Sequence, residues 1–168
     1  MSCGFDDLLA ANEAYAAHFD DGALAGRAAR GLAVVTCMDS RIEPLQMLGL
    51  AKGDAKILRN AGGRVNGDVL RTLVLAVHLL GVDRVMVVQH TDCRMATVTD
   101  DEAHDAILAA SGTDTRSLEF HTIPDQQATL ERDVRRIRSS PYLPEELRVA
   151  GCLYDVRTGR LHVAVPPA

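Results

Sequence analysis

The sequence lacks any apolar run long enough to cross a membrane as a helix, since even the stretch 73–80 is interrupted by His78. Its first residues also lack the basic, apolar and small-residue segments of a secretory signal. Basic charge is not in excess either, because 18 Lys and Arg residues stand against 23 Asp and Glu residues, for a net charge of -5. We therefore expect a cytoplasmic protein with no membrane partner and no nucleic-acid partner.

The sequence also lacks the motifs of two common classes of ligand-binding site. The glycines do not form the spaced fingerprint of a dinucleotide site, and no lysine completes a phosphate-binding loop. In a reducing cytoplasm the four cysteines are expected to be metal ligands, catalytic thiols or structural residues rather than disulfides. The length of 168 residues, 47% hydrophobic and 24% charged, predicts a single globular domain over 1–168.

Segments typical of strands alternate with segments typical of helices along the whole chain. This order predicts an α/β fold with a mostly parallel sheet, helices on both faces and an antiparallel edge strand from a final hairpin. The N-terminal helix is expected to pack on a partner subunit. Asp68, Thr99 and Gly81 are predicted to cap helices. The predicted strands are 33–36, 55–59, 84–89, 147–154 and 161–165, and the main helices are 6–19, 69–80, 99–110 and 125–138.

Two of the predicted strands end in soft metal ligands. Cys37 follows the strand 33–36, and His90 and Cys93 follow the strand 84–89. In parallel α/β sheets, sites form beyond the carboxyl ends of the strands where the strand order reverses. Cysteine and histidine suit zinc, and a catalytic zinc ion usually has three protein ligands and one open position. We therefore predict one Zn²⁺ per chain, held by these three residues.

Asp39 lies two residues beyond Cys37, and Arg41 lies two residues beyond Asp39. Two thiolates would cancel the charge of the zinc ion, so water on this ion would be less acidic than at an all-histidine site. Asp39 could accept a hydrogen bond from that water or displace it and become a metal ligand itself. Arg41 could hold the Asp39 carboxylate ionised in a bidentate pair, which makes these two residues the catalytic candidates.

The remaining candidate residues are expected to have mainly structural roles. Cys3 and Cys152 have no ligand neighbours in the sequence, and His78 on an apolar helix is expected in the core or an interface. Asp92 is expected to hydrogen-bond its own turn. The glycines of the loop 60–67 are expected both to make a tight turn and to line the pocket with backbone amides. The other histidines are expected at the surface, namely His18, His104, His121 and His162.

Three motifs in order along the chain resemble those of the β-class carbonic anhydrases, in particular the short bacterial branch of that family. They are Cys37-Met38-Asp39-Ser40-Arg41, Arg59-Asn60-Ala61-Gly62 and His90-Thr91-Asp92-Cys93. The resemblance covers most of the chain. It implies zinc held by Cys37, His90 and Cys93, the Asp39 and Arg41 dyad, and reversible hydration of carbon dioxide to bicarbonate and a proton. It also implies the strand order 2-1-3-4 and a homodimer or dimer of dimers.

The chain departs from the family pattern at Arg94, where glycine usually follows the second cysteine. Since no presumed ligand changes, this departure bears on rate and substrate preference rather than on metal binding. Two alternatives to carbon dioxide hydration remain open at this point. One is a hydrolase of carbonyl sulfide or carbon disulfide using the same chemistry at zinc. The other is a non-catalytic zinc-stabilised scaffold or redox sensor, which would keep the cysteines but would not need Asp39 and Arg41.

Overall fold

The computed structural model describes residues 4–168, so Cys3 lies outside the described residues. Five strands and five helices follow one another in the order predicted from the sequence. Short 3₁₀ turns occur at Asp21–Ala23, Ala61–Gly63 and Arg94–Ala96. The strands are β1 (Leu32–Cys37), β2 (Ala55–Asn60), β3 (Arg84–His90), β4 (Arg148–Tyr154) and β5 (Leu161–Val165), and the helices are α1 (Asp6–Ala16), α2 (Pro44–Met47), α3 (Gly67–Leu80), α4 (Asp100–Ser111) and α5 (Gln126–Arg138).

The strands form one sheet in the order β2-β1-β3-β4-β5. The first four are parallel, and β5 runs antiparallel to β4 at the edge. Both the 2-1-3-4 order and the antiparallel edge strand are therefore confirmed. The chain leaves β1 for β2 on one side and then crosses to β3 on the other side. The strand order thus reverses between β1 and β3, and the carboxyl ends of these two strands flank the crevice where ligands bind in such sheets.

Side chains on both faces of the central strand β1 are buried, which explains its continuous apolar run. All six residues of Leu32–Cys37 are buried. On one face, helices α3 and α5 cover the larger hydrophobic cluster through residues such as Leu73 and Leu130. On the other face, Leu32, Val34, Val88 and Cys152 form a smaller cluster that α2 and its following loop cover. This packing holds β1 and β3 side by side from within the core.

Two of the three predicted helix caps are confirmed, and one is wrong. Gly81 ends α3 with φ 75°, and Thr99 forms a reciprocal capping box with Glu102 at the start of α4. The cap of α3 is Asn66, whose side chain accepts a hydrogen bond from the Val69 amide at 3.0 Å, rather than Asp68. The Asp68 carboxylate, already inside the helix, accepts hydrogen bonds from Arg71 instead.

Helix α1 ends at Ala16, three residues before the predicted end, and none of its residues is buried. Its apolar side chains Leu8, Leu9 and Tyr15 are 61%, 57% and 51% exposed. These side chains therefore contribute little to the core of their own chain. Within residues 4–168, no helix combines the length and apolarity needed to cross a membrane.

The expectation that His104 lies at the surface is wrong. Its side chain is buried, because the loop after α4 folds back over the helix. His104 Nδ1 lies 2.9 Å from Thr115 Oγ1, and its ring centroid is 4.8 Å from that of Phe120. Sequence pattern did not find this burial, because the covering residues belong to an irregular segment. His18 and His162 are exposed, and His121 is half-buried. His78, expected in the core or an interface, is exposed in the single chain and therefore does not lie in its core.

Candidate metal centre

Three potential metal ligands meet at the carboxyl ends of β1 and β3. Cys37 is the last residue of β1, His90 is the last residue of β3, and the turn after His90 brings back Cys93. One potential ligand atom from each residue lies within 4.8 Å of the others, and the two sulfurs are 4.0 Å apart. All three side chains are buried. The structure thus brings together the three residues that sequence spacing and strand ends had singled out.

The imidazole of His90 is oriented for a ligand that it lacks within the protein. Its Nδ1 lies 2.8 Å from the Thr91 carbonyl oxygen, to which it donates, so the lone pair is left on Nε2. Nε2 is buried and has no hydrogen-bond partner among the described residues. A histidine that ligates a metal typically donates its other N–H in this way. This unpartnered nitrogen beside two thiols fits a zinc ion.

The two thiols are electrostatically unequal. The hydrogen bond from Cys93 is the largest cause that lowers the pKa of Cys37, and the pKa of Cys93 is raised for the same reason. The Gly62 amide also donates to the Cys37 sulfur at 3.3 Å. These hydrogen bonds favour the thiolate form of Cys37, and thiolate is the form that binds metal.

Glycines in the turn Ala61–Gly63 allow the backbone to approach the site closely. Gly62 and Gly63 have φ of 77° and 63°, in the left-handed region that favours glycine. A Cβ on Gly63 would lie 2.9 Å from the Val88 carbonyl oxygen and 3.0 Å from the Cys37 amide nitrogen. The expected tight turn is confirmed by this geometry, and one of its amides, that of Gly62, contacts the Cys37 sulfur.

Asp39 and Arg41 form a bidentate ion pair beside the potential ligands. Arg41 Nη2 lies 2.7 Å from Asp39 Oδ2, and Arg41 Nε lies 3.0 Å from Asp39 Oδ1. Hydrogen bonds from the Arg41 side chain are the main reason that the pKa of Asp39 lies well below its usual range. Asp39 Oδ2 also lies 3.9 Å from His90 Nε2. An ionised carboxylate therefore faces the position where these three ligands would hold an ion.

Arg59 holds the backbone that carries these groups. Its Nε donates to the Cys37 carbonyl oxygen at 3.0 Å, and its Nη2 donates to the Asp39 carbonyl oxygen at 2.6 Å. The first residue of the Arg59-Asn60-Ala61-Gly62 motif thus fixes the chain between the first ligand and the dyad. The motif's Gly62 contacts the sulfur of that ligand.

The family model described as "Carbonic anhydrase" matches residues 32–161. The "Beta-carbonic anhydrase 1" of Mycobacterium tuberculosis is 38% identical over 162 residues, covering 96% of this chain and 98% of the relative. The chain belongs to the β-carbonic anhydrase family. Members of this family are zinc lyases, and the chain's cysteine and histidine ligands fit that metal.

Solved carbonic anhydrases share this fold along nearly the whole chain. The carbonic anhydrase from Streptococcus mutans superposes with a TM-score of 0.90 at 37% identity, covering 98% of this chain and 99% of that one. The carbonic anhydrase from Glaciozyma antarctica gives 0.85 at 37% identity, covering 98% and 100%. The "Carbon disulfide hydrolase" of an Acidianus strain is 31% identical, over 79% of this chain and 76% of the relative. These comparisons support carbon dioxide hydration over carbon disulfide hydrolysis.

Sequence reasoning missed two residues around this β-carbonic anhydrase site. Asp92 does not hydrogen-bond its own turn as expected, but accepts hydrogen bonds from Arg41. Gln126, at the start of α5, donates from Nε2 to the His90 carbonyl oxygen at 2.9 Å. Both contacts join residues more than 30 positions apart, so no local pattern indicated them. The only available signal was that Asp92 lies between two predicted ligands.

Arg94, which departs from the family pattern, is exposed at the start of its 3₁₀ turn. Its side chain makes no hydrogen bond or ion pair with any residue in the range 4–168 that the structure describes. Cys152 is buried within β4, away from the three ligands, and burial raises the pKa of its thiol. This placement agrees with a structural role for Cys152.

Proposed function

We propose that this chain catalyses the reversible hydration of carbon dioxide to bicarbonate and a proton. The proposed site is one zinc ion per chain held by Cys37, His90 and Cys93, with Asp39 and Arg41 as the catalytic residues. The single observation that carries the assignment is the buried, unpartnered His90 Nε2 beside two thiol sulfurs that are 4.0 Å apart. The family membership of the chain adds the reaction.

A zinc ion bound there would act as a Lewis acid, lowering the pKa of water so that a hydroxide nucleophile is available near neutral pH. Two thiolates offset most of the charge of that ion, so the acidity of the water depends more on neighbouring groups. Asp39 is the nearest carboxylate, and it stays ionised because Arg41 hydrogen-bonds both of its oxygens. It can accept a hydrogen bond from the reacting water and orient the oxygen toward carbon dioxide.

The same carboxylate gives the site a second state. Asp39 Oδ2 lies 3.9 Å from His90 Nε2, so a modest movement would let Asp39 become the fourth ligand and exclude water. Arg41 opposes this movement, because the bidentate pair is lost when Asp39 leaves it. The open state, with Asp39 on Arg41, is the active one. A closed state, in which Asp39 would be the fourth ligand of a bound zinc ion, would be inactive.

Stopped-flow measurement of carbon dioxide hydration on protein of known zinc content tests the proposal. We expect one zinc ion per chain and a rate proportional to the zinc content. The Cys93→Ala variant should lose both the metal and the activity. Cys152→Ala is the matched control, because it removes another buried cysteine that lies away from the site, and it should retain both. A fully zinc-loaded wild type that does not hydrate carbon dioxide would overturn the assignment.

Hydrolysis of carbonyl sulfide or carbon disulfide is the second candidate. The similarity to a carbon disulfide hydrolase supports it, as does the linear shape that these molecules share with carbon dioxide. Sulfide release and carbon dioxide hydration measured on one preparation separate the two activities. We expect hydration to be much faster, and dominant sulfide release would reverse the order of the two candidates.

The proposed active form is a homodimer or a dimer of dimers of single-domain chains. Support comes from the segment around α1, where Leu8, Leu9 and Phe19 are 61%, 57% and 51% exposed. A helix whose large apolar side chains are exposed in its own chain is typical of a segment that packs against a partner. Light scattering should give a mass of at least two chains, and Leu8→Glu should lower it. We further propose a cytoplasmic location, because the zinc site needs both thiols reduced.

A further inference from the structure

Arg41 has a second carboxylate partner, which the sequence did not indicate. While Nε and Nη2 face Asp39, the remaining nitrogen, Nη1, donates to Asp92 Oδ2 at 2.8 Å. Nη2 also donates to the Asp92 main-chain carbonyl oxygen at 3.1 Å. The guanidinium is thus held on two edges, by Asp39 on one and by Asp92 on the other.

The backbone of Asp92 is unusual in a way that matches this contact. Its φ is 56°, and Asp92 and His121 are the only residues other than glycine with positive φ in the part of the chain that the structure describes. This left-handed conformation is costly for most side chains and is least costly for Asn, Asp and Gly. In this conformation both the carboxylate and the carbonyl of Asp92 reach the same guanidinium.

We propose that Asp92 is a positioning residue that anchors Arg41, so that Asp39 moves between its open and closed states against a stationary arginine. The inference rests on the proposed function, since it concerns the dyad of that reaction. The reason lies in the contacts that Arg41 keeps when Asp39 moves. When Asp39 moves toward the metal, Arg41 loses its Asp39 contacts, and the two contacts from Asp92 are the ones that remain.

An unanchored arginine would weaken the open state. The Arg41 side chain is long and 45% exposed, so without Asp92 its guanidinium would sample many rotamers. Re-forming the bidentate pair would then require ordering that side chain each time, which disfavours the state with Asp39 on Arg41. Removing Asp92 should therefore shift the population toward the closed state, in which Asp39 blocks the fourth ligand position.

Two substitutions keep the backbone conformation while changing the anchor. Asp92→Asn tolerates the left-handed region and removes only the charge, and Asp92→Gly removes the side chain but leaves the carbonyl contact. Asp114→Asn is the matched control, because Asp114 accepts from the amide and side chain of Arg116 with the same two-residue spacing as Asp39 and Arg41. Asp114 is exposed and lies in the loop after α4, outside the zinc site.

The decisive readout is the affinity of the open ligand position, measured at one fixed pH on cobalt-substituted protein by azide titration of the visible absorption. The apparent Kd of a ligand rises in inverse proportion to the fraction of sites that are open. Because the anchoring contacts are exposed, we expect Asp92→Gly to raise the azide Kd and lower kcat by about two- to fivefold. Asp92→Asn should fall between Asp92→Gly and wild type, with metal content unchanged in both variants, and Asp114→Asn should equal wild type.

The Arg41→Ala background separates anchoring from a general structural role. If Asp92 acts through Arg41, adding Asp92→Gly to Arg41→Ala should change neither the azide Kd nor kcat further. Additive effects, unchanged values in Asp92→Gly, or tighter azide binding would each overturn the inference. An active, zinc-loaded wild type with unaffected Asp92 variants would refute the anchor alone, whereas an inert, zinc-loaded wild type would refute the proposed function itself.

Discussion

Two aspartate-arginine pairs lie near the zinc site. They contain the same chemical groups but differ in burial and in their surroundings. In the Arg64 and Asp133 pair, the side chains are 11% and 3% exposed. In the Arg41 and Asp39 pair, they are 45% and 18% exposed. Each pair has two nitrogen-oxygen contacts between its guanidinium and its carboxylate. Bidentate geometry alone therefore does not distinguish a structural pair from one proposed to be catalytic.

The surroundings of each pair decide its role. Arg64 also donates to the His121 and Thr122 carbonyl oxygens, and Asp133 also accepts from the Val65 amide. The buried pair thus has a full set of partners and holds the chain just after the turn Ala61–Gly63, whose Gly62 contacts Cys37. Asp39, in contrast, faces the candidate ligand position. We infer that the buried pair stabilises the wall of the site, whereas the Asp39 and Arg41 pair is the one proposed to open and close.

Breaking the buried pair should have the largest effect on stability. Asp133→Ala leaves the Arg64 guanidinium buried without its carboxylate, which typically costs about 3–5 kcal/mol of unfolding free energy. Urea unfolding at neutral pH measures this loss. Asp39→Asn, at the exposed pair, should cost less than about 1 kcal/mol in the same experiment. Equal losses in the two variants would show that the pairs do not differ as the structure indicates.

The double replacement Arg64→Met with Asp133→Leu sharpens the same test. Since it removes both charges and keeps apolar volume, it should be less destabilising than Asp133→Ala alone. A double variant that is as unstable as the single one would mean that the cost lies in the contacts to the Val65 amide and to the carbonyl oxygens of 121–122.

Substitutions in the two pairs should affect activity in the opposite order to their effects on stability. Asp39→Asn keeps the shape of the side chain but loses the charge that pairs with Arg41, so we expect kcat/KM for hydration to fall by about 10²-fold with zinc content unchanged. Stopped-flow assays with metal analysis measure both quantities. Asp133→Asn, assayed at a temperature where it is folded, should lose much less activity. Near-full activity of Asp39→Asn would remove Asp39 from the mechanism.

A third carboxylate, Asp100, lies between these two cases, because its hydrogen-bond donors are a threonine hydroxyl and backbone amides rather than an arginine. It accepts from the Thr122 hydroxyl at 2.5 Å and from the Thr122 and Phe120 amides at 3.0 Å each. The Thr122 hydrogen bond is the largest cause that lowers the pKa of Asp100 below its ordinary value of 3.8. Its contribution to stability is therefore complete above pH 3.8 and is lost as the pH falls through the lower pKa of the folded state.

We expect Asp100→Asn to lower the free energy of unfolding by about 1 kcal/mol at pH 7, and the difference from wild type to shrink below the ordinary carboxyl pKa. Denaturant unfolding of both proteins between pH 7 and pH 3 measures this convergence. A difference that stays constant over the whole pH range would mean that the charge of Asp100 contributes nothing and that only the shape of the side chain matters.

The sequence predicted the sheet and the three ligands because both depend on local patterns. The apolar runs of β1 and β3 end at Cys37 and His90, and parallel topology brings strand ends to one edge whatever the details of packing. The capping box at Thr99 and the end of α3 at Gly81 are likewise short-range features. The dyad of Asp39 and Arg41 was predictable for the same reason, since the two residues are only two positions apart.

What the sequence did not predict depends on contacts between distant segments. The buried pair joins residues 69 positions apart, and the contact between Asp92 and Arg41 spans 51 positions. Burial of His104 depends on the path of an irregular loop. The Asn66 cap was missed because the apolar pattern begins at Val69, and Asp68, immediately before it, is of a residue type that caps helices. Such features follow from the tertiary arrangement and leave little trace in composition or periodicity.

The smallest effect is expected at Arg94, an arginine of the same region that has no carboxylate partner among the described residues. Its backbone does not adopt the left-handed conformation, so glycine is not required there. Because its exposed side chain makes no ion pair in residues 4–168, Arg94→Gly should change kcat/KM for hydration by less than about twofold. Stopped-flow hydration and sulfide release from carbon disulfide, measured on the same variant, check this. A tenfold gain in either activity would show that Arg94, although unpaired, limits substrate entry. Ion pairing alone would then not decide which arginines near this site affect the rate.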